Sequence, residues 1–335
     1  MRLRKYLVGK ALWYVGALIV ALVLNFLLPR LVPGNPVDAI VAQLGRSGAQ
    51  AEQLKRIHEH YVAEFGLNQP MWAQFFTYVG NLLHFDLGTS FAQSPAKVGD
   101  LIAEALPWTL GLQLPAILIG WLVGNGLGAL AAFKGGWFDR GAFLSSLFLS
   151  SMPYYCLAII LLYLFAVALR MLPPGGGYEP GLMPDWSLLF ATDVLRHYWL
   201  PFFSLVIIFI GGQAVGMRSM AIYELNSDYV NYGRGLGLPD KRIVRYIFRN
   251  AMLPQVTGLA LSIGTLVGGA LITEIVFSYP GIGSLLFSAI SQNDYPVIQA
   301  ITLIIAIAVL ASNFLVEIAY GFVDPRIRAA RAGER

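Results

Sequence analysis

Long apolar runs decide the fold class of this chain. Six stretches, at about 11–31, 106–133, 142–169, 200–222, 253–277 and 298–322, are apolar over the ~18–20 residues a helix needs to cross a bilayer core. Backbone in lipid must satisfy its own hydrogen bonds, so runs of this length predict α-helices. A transmembrane β-barrel would alternate in segments of about ten residues, and these runs are too long and too uniformly apolar for that. Composition agrees. Of 335 residues, 57% are hydrophobic and 13% charged, with a mean hydropathy of +0.63. A soluble protein of this size needs far more surface charge. The expectation is an all-α integral membrane protein with six spans and a large segment after the first.

The basic residues Arg2, Arg4, Lys5 and Lys10 ahead of the first run resemble the start of a signal peptide. The run is long for that role, and Val32-Pro33-Gly34-Asn35-Pro36 follows it instead of a small-x-small cleavage site. A retained span is expected. Lysine and arginine set orientation. Sixteen of the 23 fall on the N-terminal piece, on Lys134 and Arg140, on Arg218 and the 223–254 segment, and on the C-terminal piece. Both ends and the 223–254 segment are therefore expected in the cytoplasm. The net charge of +4 lies beside spans and reflects topology, not nucleic-acid binding. The single cysteine, Cys156, sits in an apolar run; it allows no intrachain disulfide and reads as a small buried hydrophobe.

Outside the spans, 50–65 reads as a helix with Leu54, Ile57 and Tyr61 on one face, and 71–85 as an amphipathic, aromatic helix. The latter either lies at the membrane interface or packs against the spans. The segment 170–199 contains Pro173-Pro174-Gly175-Gly176-Gly177 and is turn-rich.

The segment 223–254 is a polar, basic island between two apolar runs. It nevertheless keeps a helical apolar rhythm at Ile243, Tyr246, Ile247 and Ala251. An ordered helical loop of this kind predicts a docking surface. Catalytic and metal motifs are missing. His58-Glu59-His60 has i, i+2 spacing, which points two rings apart on a helix, whereas a zinc-binding HExxH needs i, i+4. Gly233-Arg234-Gly235-Leu236-Gly237 follows no strand, and Lys241 precedes no Ser or Thr, so neither a Rossmann turn nor a P-loop is expected. An ATP-driven process would need another subunit.

Three charged residues lie within or at the edge of spans: Arg218, Glu274 and Glu317. Such groups serve either a pathway or a local structure. Arg218 is near a cytoplasmic end, where its side chain can snorkel. Glu317 either pairs with a basic cytoplasmic residue or serves a pathway. Glu274, just before Tyr279-Pro280-Gly281-Ile282-Gly283, favours a local structural role. Pro115, Pro153 and Pro201 remove helix donors inside spans. Gly120, Gly124 and Gly128, at i, i+4 and i+8, predict close helix packing.

The segment 223–254 resembles the EAA loop of ABC-importer permeases. Asn231-Tyr232-Gly233 stands where Glu-Ala-Ala is usual, Gly237 is the loop glycine, and Arg249-Asn250-Ala251-Met252-Leu253-Pro254 resembles the closing helix and proline. The likeness is to the dipeptide/oligopeptide/nickel permease family, first-subunit branch. Pro33-Gly34-Asn35-Pro36, Phe65-Gly66-Leu67-Asn68-Gln69-Pro70, Asp86-Leu87-Gly88-Thr89-Ser90, the run from Thr273 to Gly283, Asp294-Tyr295-Pro296 and Asp324-Pro325-Arg326-Ile327-Arg328 support it in order along the chain. The chain departs from the family at Tyr232, where a small residue is usual, and in its Tyr-Gly-Arg-Gly-Leu run.

The resemblance implies the type I ABC importer permease fold. It divides the chain into an N-terminal end with the first span (1–32), an extracytoplasmic segment (33–105) and a five-helix core (106–335). It implies a multi-pass permease in a bacterial or archaeal cytoplasmic membrane, importing peptides; the same architecture also imports oligosaccharides or nickel. The implied partners are a second homologous permease subunit, two ABC ATPase subunits that hold ATP and Mg²⁺, and an extracytoplasmic solute-binding protein. The chain itself then has no cofactor, no metal and no catalytic residue. The implied coupling element is 228–238 turned by Gly237, with Asp228, Tyr229, Asn231, Tyr232, Gly233, Arg234, Arg242 and Pro254 as coupling residues. Arg234 and Arg242 would pair with the ATPase. A stand-alone ion-coupled carrier is the reading from another class, and it wants mid-membrane acids, for which only Glu317 is available.

Overall fold

The computed structural model describes residues 2–31, 37, 41, 51–64, 68–264 and 270–323. The helices are α1 (Arg2–Leu31), α2 (Ala51–Glu64), α3 (Met71–Leu83), α4 (Val98–Lys134), α5 (Gly136–Ser151), α6 (Tyr154–Leu161), α7 (Leu188–Leu225), α8 (Asp228–Gly235), α9 (Asp240–Gly264), α10 (Leu271–Val276), α11 (Ile282–Ser291) and α12 (Tyr295–Val323). A π-helical stretch, Leu162–Ala168, continues α6. Among the described residues the only β feature is an isolated bridge between Thr89 and Lys97.

Four helices, α1, α4, α7 and α12, are long and apolar enough to cross a membrane, and α5 with α6 forms a fifth candidate span bent by 95°. The continuous span expected over 142–169 is thus broken. Its cause is Pro153, which has no N–H to donate and forces the preceding Met152 into an extended conformation (φ −87°, ψ 128°). Pro201 sits inside an unbroken α7, and Pro115 inside an unbroken α4. The fourth span begins at Leu188, earlier than expected, because the Ser187 hydroxyl accepts from the Phe190 amide (3.1 Å) and caps the helix. Residues 265–269, between α9 and α10, lie outside the described residues, so the span expected over 253–277 is described only in its flanking parts. The stretches 33–36 and 324–328, residues 65–67, and the side chain of Glu317 also lie outside them.

The chain forms two compact units, Met1–Pro107 with Ser284–Leu310, and Trp108–Gly283 with Ala311–Arg335. In the first, α1 and α12 are joined by amide side chains. Asn25 donates to the Gln299 carbonyl (2.8 Å), Gln299 donates back to the Asn25 carbonyl (3.2 Å), and the Thr302 hydroxyl donates to Asn25 Oδ1 (2.6 Å). Helix α3 packs on the end of α1, with Phe75 edge-on to Phe26 (5.2 Å) and Tyr78 bonded to Asn25 (3.1 Å). The packing alternative for 71–85 therefore holds along one face. Two of the family-like stretches meet here. Asp294 accepts from the Ser90 hydroxyl and from the amides of Phe91 (3.0 Å) and Ala92 (3.1 Å).

In the second unit α7 is the central post. The Gly120, Gly124 and Gly128 stripe of α4 lies against it. A Cβ at Gly120 would stand 2.5 Å from Phe209 Cβ, and one at Gly124 would stand 2.7 Å from the Ile210 carbonyl oxygen. Only glycine admits a backbone approach this close. On another side Gly211 receives α5 at Ser146 and Leu149. Trp121 Nε1 donates to the Gln255 carbonyl (2.9 Å), and the Gln255 side chain covers Gly216, which ties α9 to α4 and α7. Leu112, Ala116, Ala158, Leu200, Leu205 and Phe277 form the apolar core.

Candidate functional site

The 223–254 segment folds as a helix–turn–helix built onto the end of α7. Its first element is α8. Asp228 opens it, where a carboxylate suits the positive end of the helix dipole, and Arg234 occupies its last turn, where a cation does. The helix ends in a Schellman motif. The Leu238 amide donates to the Gly233 carbonyl (3.1 Å), the Gly237 amide donates to the Arg234 carbonyl (2.9 Å), and Gly237 takes the left-handed turn at φ +72°. Pro239 then accepts from Arg242 (2.8 Å) and Ile243 (3.3 Å) and starts α9.

Side chains fix this geometry from below. Val230 of α8 is 1% exposed and packs with Ala221, Ile243 and Ile247, with Leu238 and Leu225 closing the cluster. Burying Val and Ile side chains contributes roughly 1.5–3 kcal/mol each. Gly233 is buried, and a Cβ there would stand 3.3 Å from the Leu238 side chain. The Tyr229 hydroxyl donates to Glu224 Oε2 (2.6 Å), which also receives Asn250 (3.4 Å), so one carboxylate at the end of α7 joins the start of α8 to the interior of α9. Partial burial, and then that bond to Glu224, hold the Tyr229 hydroxyl above the usual tyrosine range. The opposite face is open. Asn231, Arg234, Gly237 and Arg242 are exposed, Tyr232 is 70% and Leu236 62% exposed. Among the described residues neither Arg234 nor Arg242 enters an ion pair.

The Arg249–Pro254 stretch lies within α9, which runs through Pro254 from Asp240 to Gly264. Of the apolar rhythm, Ile243, Ile247 and Ala251 are buried, while Tyr246 is 45% exposed. Sequence reasoning missed Glu224, Val230, Leu238 and Asn250 as the parts that hold α8. Val230 and Leu238 were legible as apolar residues in a polar segment. The role of Glu224 was not, since its partners lie on other helices.

Two of the charged residues expected in spans, Arg218 and Glu274, are engaged. Arg218 does not snorkel freely. It makes a bidentate pair with Asp139 on α5 (2.5 and 2.6 Å) and lies over the Phe143 ring (4.4 Å). Glu274 is 0% exposed and is bonded to the turn that follows it. Its Oε1 accepts from the Thr109 hydroxyl (2.8 Å) and its Oε2 from the Gly283 amide (2.7 Å), while Thr109 accepts from the Ile282 amide (2.8 Å). A Cβ at Gly281 or Gly283 would collide with that carboxylate, which explains both glycines. Among the described residues no cluster of three or more His, Cys, Asp or Glu is placed to hold a metal.

Comparison with known proteins agrees with this architecture. Residues 124–329 match the family described as "binding-protein-dependent transport system inner membrane component". The di/tripeptide transport system permease protein DppB of Pseudomonas aeruginosa is 37% identical over 92% of this chain and 94% of its own length. The dipeptide transport system permease protein DppB of Escherichia coli is 34% identical, over 91% of this chain and 93% of its own. The oligopeptide transport system permease protein AppB of Bacillus subtilis is 30% identical, over 96% and 98%. With several apolar helices, a family match over more than half its length and relatives that are transport permeases, the chain is a multi-pass membrane protein that belongs to the inner-membrane component family of binding-protein-dependent transport systems.

Proposed function

We propose that this chain forms the solute pathway of an ATP-driven peptide importer, and that α8 is the handle through which a separate ATPase moves it. One observation carries the reading. Helix α8 is pinned on one face by Val230, Leu238 and the Tyr229–Glu224 bond, while its other face presents Tyr232, Arg234 and Leu236 uncovered. A helix fixed to its own bundle on one side and free on the other transmits displacement instead of absorbing it. Peptides are the proposed solute because the curated relatives at 30–37% identity carry peptide transport in their names.

The assembly contains a second, related permease chain, two cytoplasmic ATPase subunits with their ATP and Mg²⁺, and an extracytoplasmic binding protein that delivers solute. This chain holds no cofactor and catalyses no reaction. Both ends and α8 face the cytoplasm, in keeping with the lysine and arginine distribution. ATP closes the ATPase pair and carries α8 with it. The cluster joining α8 to α7 and α9 passes the motion into the spans, which turn from inward- to outward-facing. Asp228, Asn231, Tyr232, Arg234, Gly237 and Arg242 form the docking face. Glu274 serves the turn it bonds, not the solute.

Purification from native membranes tests this. ATPase chains are expected to co-purify, and the reconstituted complex is expected to hydrolyse ATP faster with peptide and binding protein. Uphill peptide accumulation by this chain alone in liposomes would overturn the reading.

A further inference from the structure

The break in the α5–α6 span lies at a depth that its packing reveals. At one end of α5, Asp139 pairs with Arg218 in the last turns of α7. At the other end, Ser146, Leu149 and Ser150 pack on Gly211, which is central in the apolar run 200–222. The break at Met152 and Pro153 follows at once, so it falls near the middle of the apolar thickness.

The break exposes hydroxyls and backbone beside the apolar Leu147 and Phe148, which are also exposed. Ser150, Ser151 and Pro153 are exposed, with Tyr154 at 40% and Tyr155 at 37%. Pro153 has no N–H. The amides of Tyr154 and Tyr155 open α6 and have no carbonyl one turn back. Among the described residues neither donates to a protein acceptor. Backbone of this kind is excluded from lipid at mid-depth. It persists only where protein covers it or where it lines water, and the described residues of this chain leave it uncovered.

We propose that residues 150–155 line the water-filled solute pathway and contact the peptide in transit. This rests on the peptide-permease reading above. The recognising chemistry is two free backbone amides and the hydroxyls of Tyr154 and Tyr155. These match the carbonyl and carboxylate oxygens that every peptide carries, so contact here is indifferent to peptide side chains. The Ser150 and Ser151 hydroxyls donate to the Leu147 carbonyl (3.0 and 2.8 Å) and keep lone pairs for a peptide N–H.

The test uses the whole complex, with its second permease and ATPase chains, in lipid nanodiscs. Cys156→Ser removes the native thiol, and Ser151→Cys, Tyr155→Cys and Ile160→Cys are made singly in that background. The control position, Ile160, is 51% exposed on the apolar part of α6. A charged, water-soluble methanethiosulfonate is the probe, and trialanine the protecting peptide. Labelling needs thiolate, and each unit by which apolar surroundings raise a thiol pKa slows it about tenfold. Ser151→Cys and Tyr155→Cys are therefore expected to label at least about tenfold faster than Ile160→Cys, and to slow when trialanine and ATP are present. Labelling no faster than at Ile160, in a complex that still transports trialanine, overturns this inference alone. Fast labelling without protection removes the peptide contact. Absence of peptide transport in the intact complex that still carries Cys156 counts against the transport reading instead. Ser151→Ala and Tyr155→Phe give an independent check. Both are expected to raise the KM for trialanine several-fold, and an unchanged KM in both also overturns the contact.

Discussion

Glycines two residues apart in the loop are expected to respond oppositely to one substitution. Gly237 sits at φ +72° and closes the Schellman motif, with no atom near enough to obstruct a Cβ. Gly237→Ala therefore costs only the left-handed conformation, about 1–2 kcal/mol for an L-residue. Gly235 is helical and also has nothing within 4 Å of a built Cβ. Gly235→Ala should therefore stabilise α8 by about 0.5–1 kcal/mol through lower backbone entropy in the unfolded chain. When Gly237 is forced out of its turn, the Leu238 amide leaves the Gly233 carbonyl and Leu238 leaves the Val230 cluster. A cost of 1–2 kcal/mol changes the ratio of docked to displaced α8 by a factor of about 5–30. Hydrogen exchange at the amides of Leu236 and Leu238 in the purified complex reads that ratio directly. Peptide-stimulated ATP hydrolysis, measured beside it, reports coupling. Exchange should rise and stimulation fall for Gly237→Ala, while Gly235→Ala leaves exchange equal or lower. Identical behaviour of the two variants, in either direction, would refute the claim that the turn at Gly237 holds the handle.

The remaining predictions concern other parts of the second unit and the open face of α8. Arg234→Glu should leave the thermal midpoint of the subunit unchanged, since Arg234 is exposed and makes no ion pair among the described residues, yet reduce co-purification of the ATPase chains; full recovery of those chains would remove Arg234 from the docking face. Glu274→Gln places an amide NH₂ against a donor that the carboxylate now satisfies, at a cost of roughly 1–3 kcal/mol, read as a lower melting temperature in detergent; unchanged stability with altered transport would favour a pathway role. Asp139→Ala and Arg218→Ala should each destabilise by about 1–3 kcal/mol, and the double variant by clearly less than their sum in a double-mutant cycle. Gly124→Val overpacks the α4–α7 contact by about 1–3 kcal/mol or more, while the same change at Gly126, which has open space around it, should be tolerated.

Reading the sequence was enough wherever one segment carried its own signal. Lipid demands internally bonded backbone, so apolar length alone gave the helical membrane class, and four of the expected spans appear as single helices. The spacing of Gly120, Gly124 and Gly128 marked a close helix contact because glycine is the one residue that permits it. The basic segment announced an ordered loop because Ile243, Ile247 and Ala251 recur at helical spacing within it. The same reading missed the start of α7, since the Ser187 cap lies outside the apolar run that drew attention.

Tertiary structure decided everything that depended on which helix faces which. Arg218 looked like an unpaired cation until α5 brought Asp139 to it across 79 positions of sequence. Glu274 became a turn-holding carboxylate only when Thr109 and the Gly283 amide closed around it. Asp86-Leu87-Gly88-Thr89-Ser90 and Asp294-Tyr295-Pro296 were separate words in the chain, and folding joined them at Ser90 and Asp294. Pro153, Pro115 and Pro201 are alike in sequence, yet only Pro153 breaks its helix; the sequence shows the missing donor, while the packing around each helix determines whether the chain can continue past it. Periodicity is a property of a segment and survives in one dimension. Pairing of polar groups is a property of neighbours, and neighbours exist only after the chain has folded.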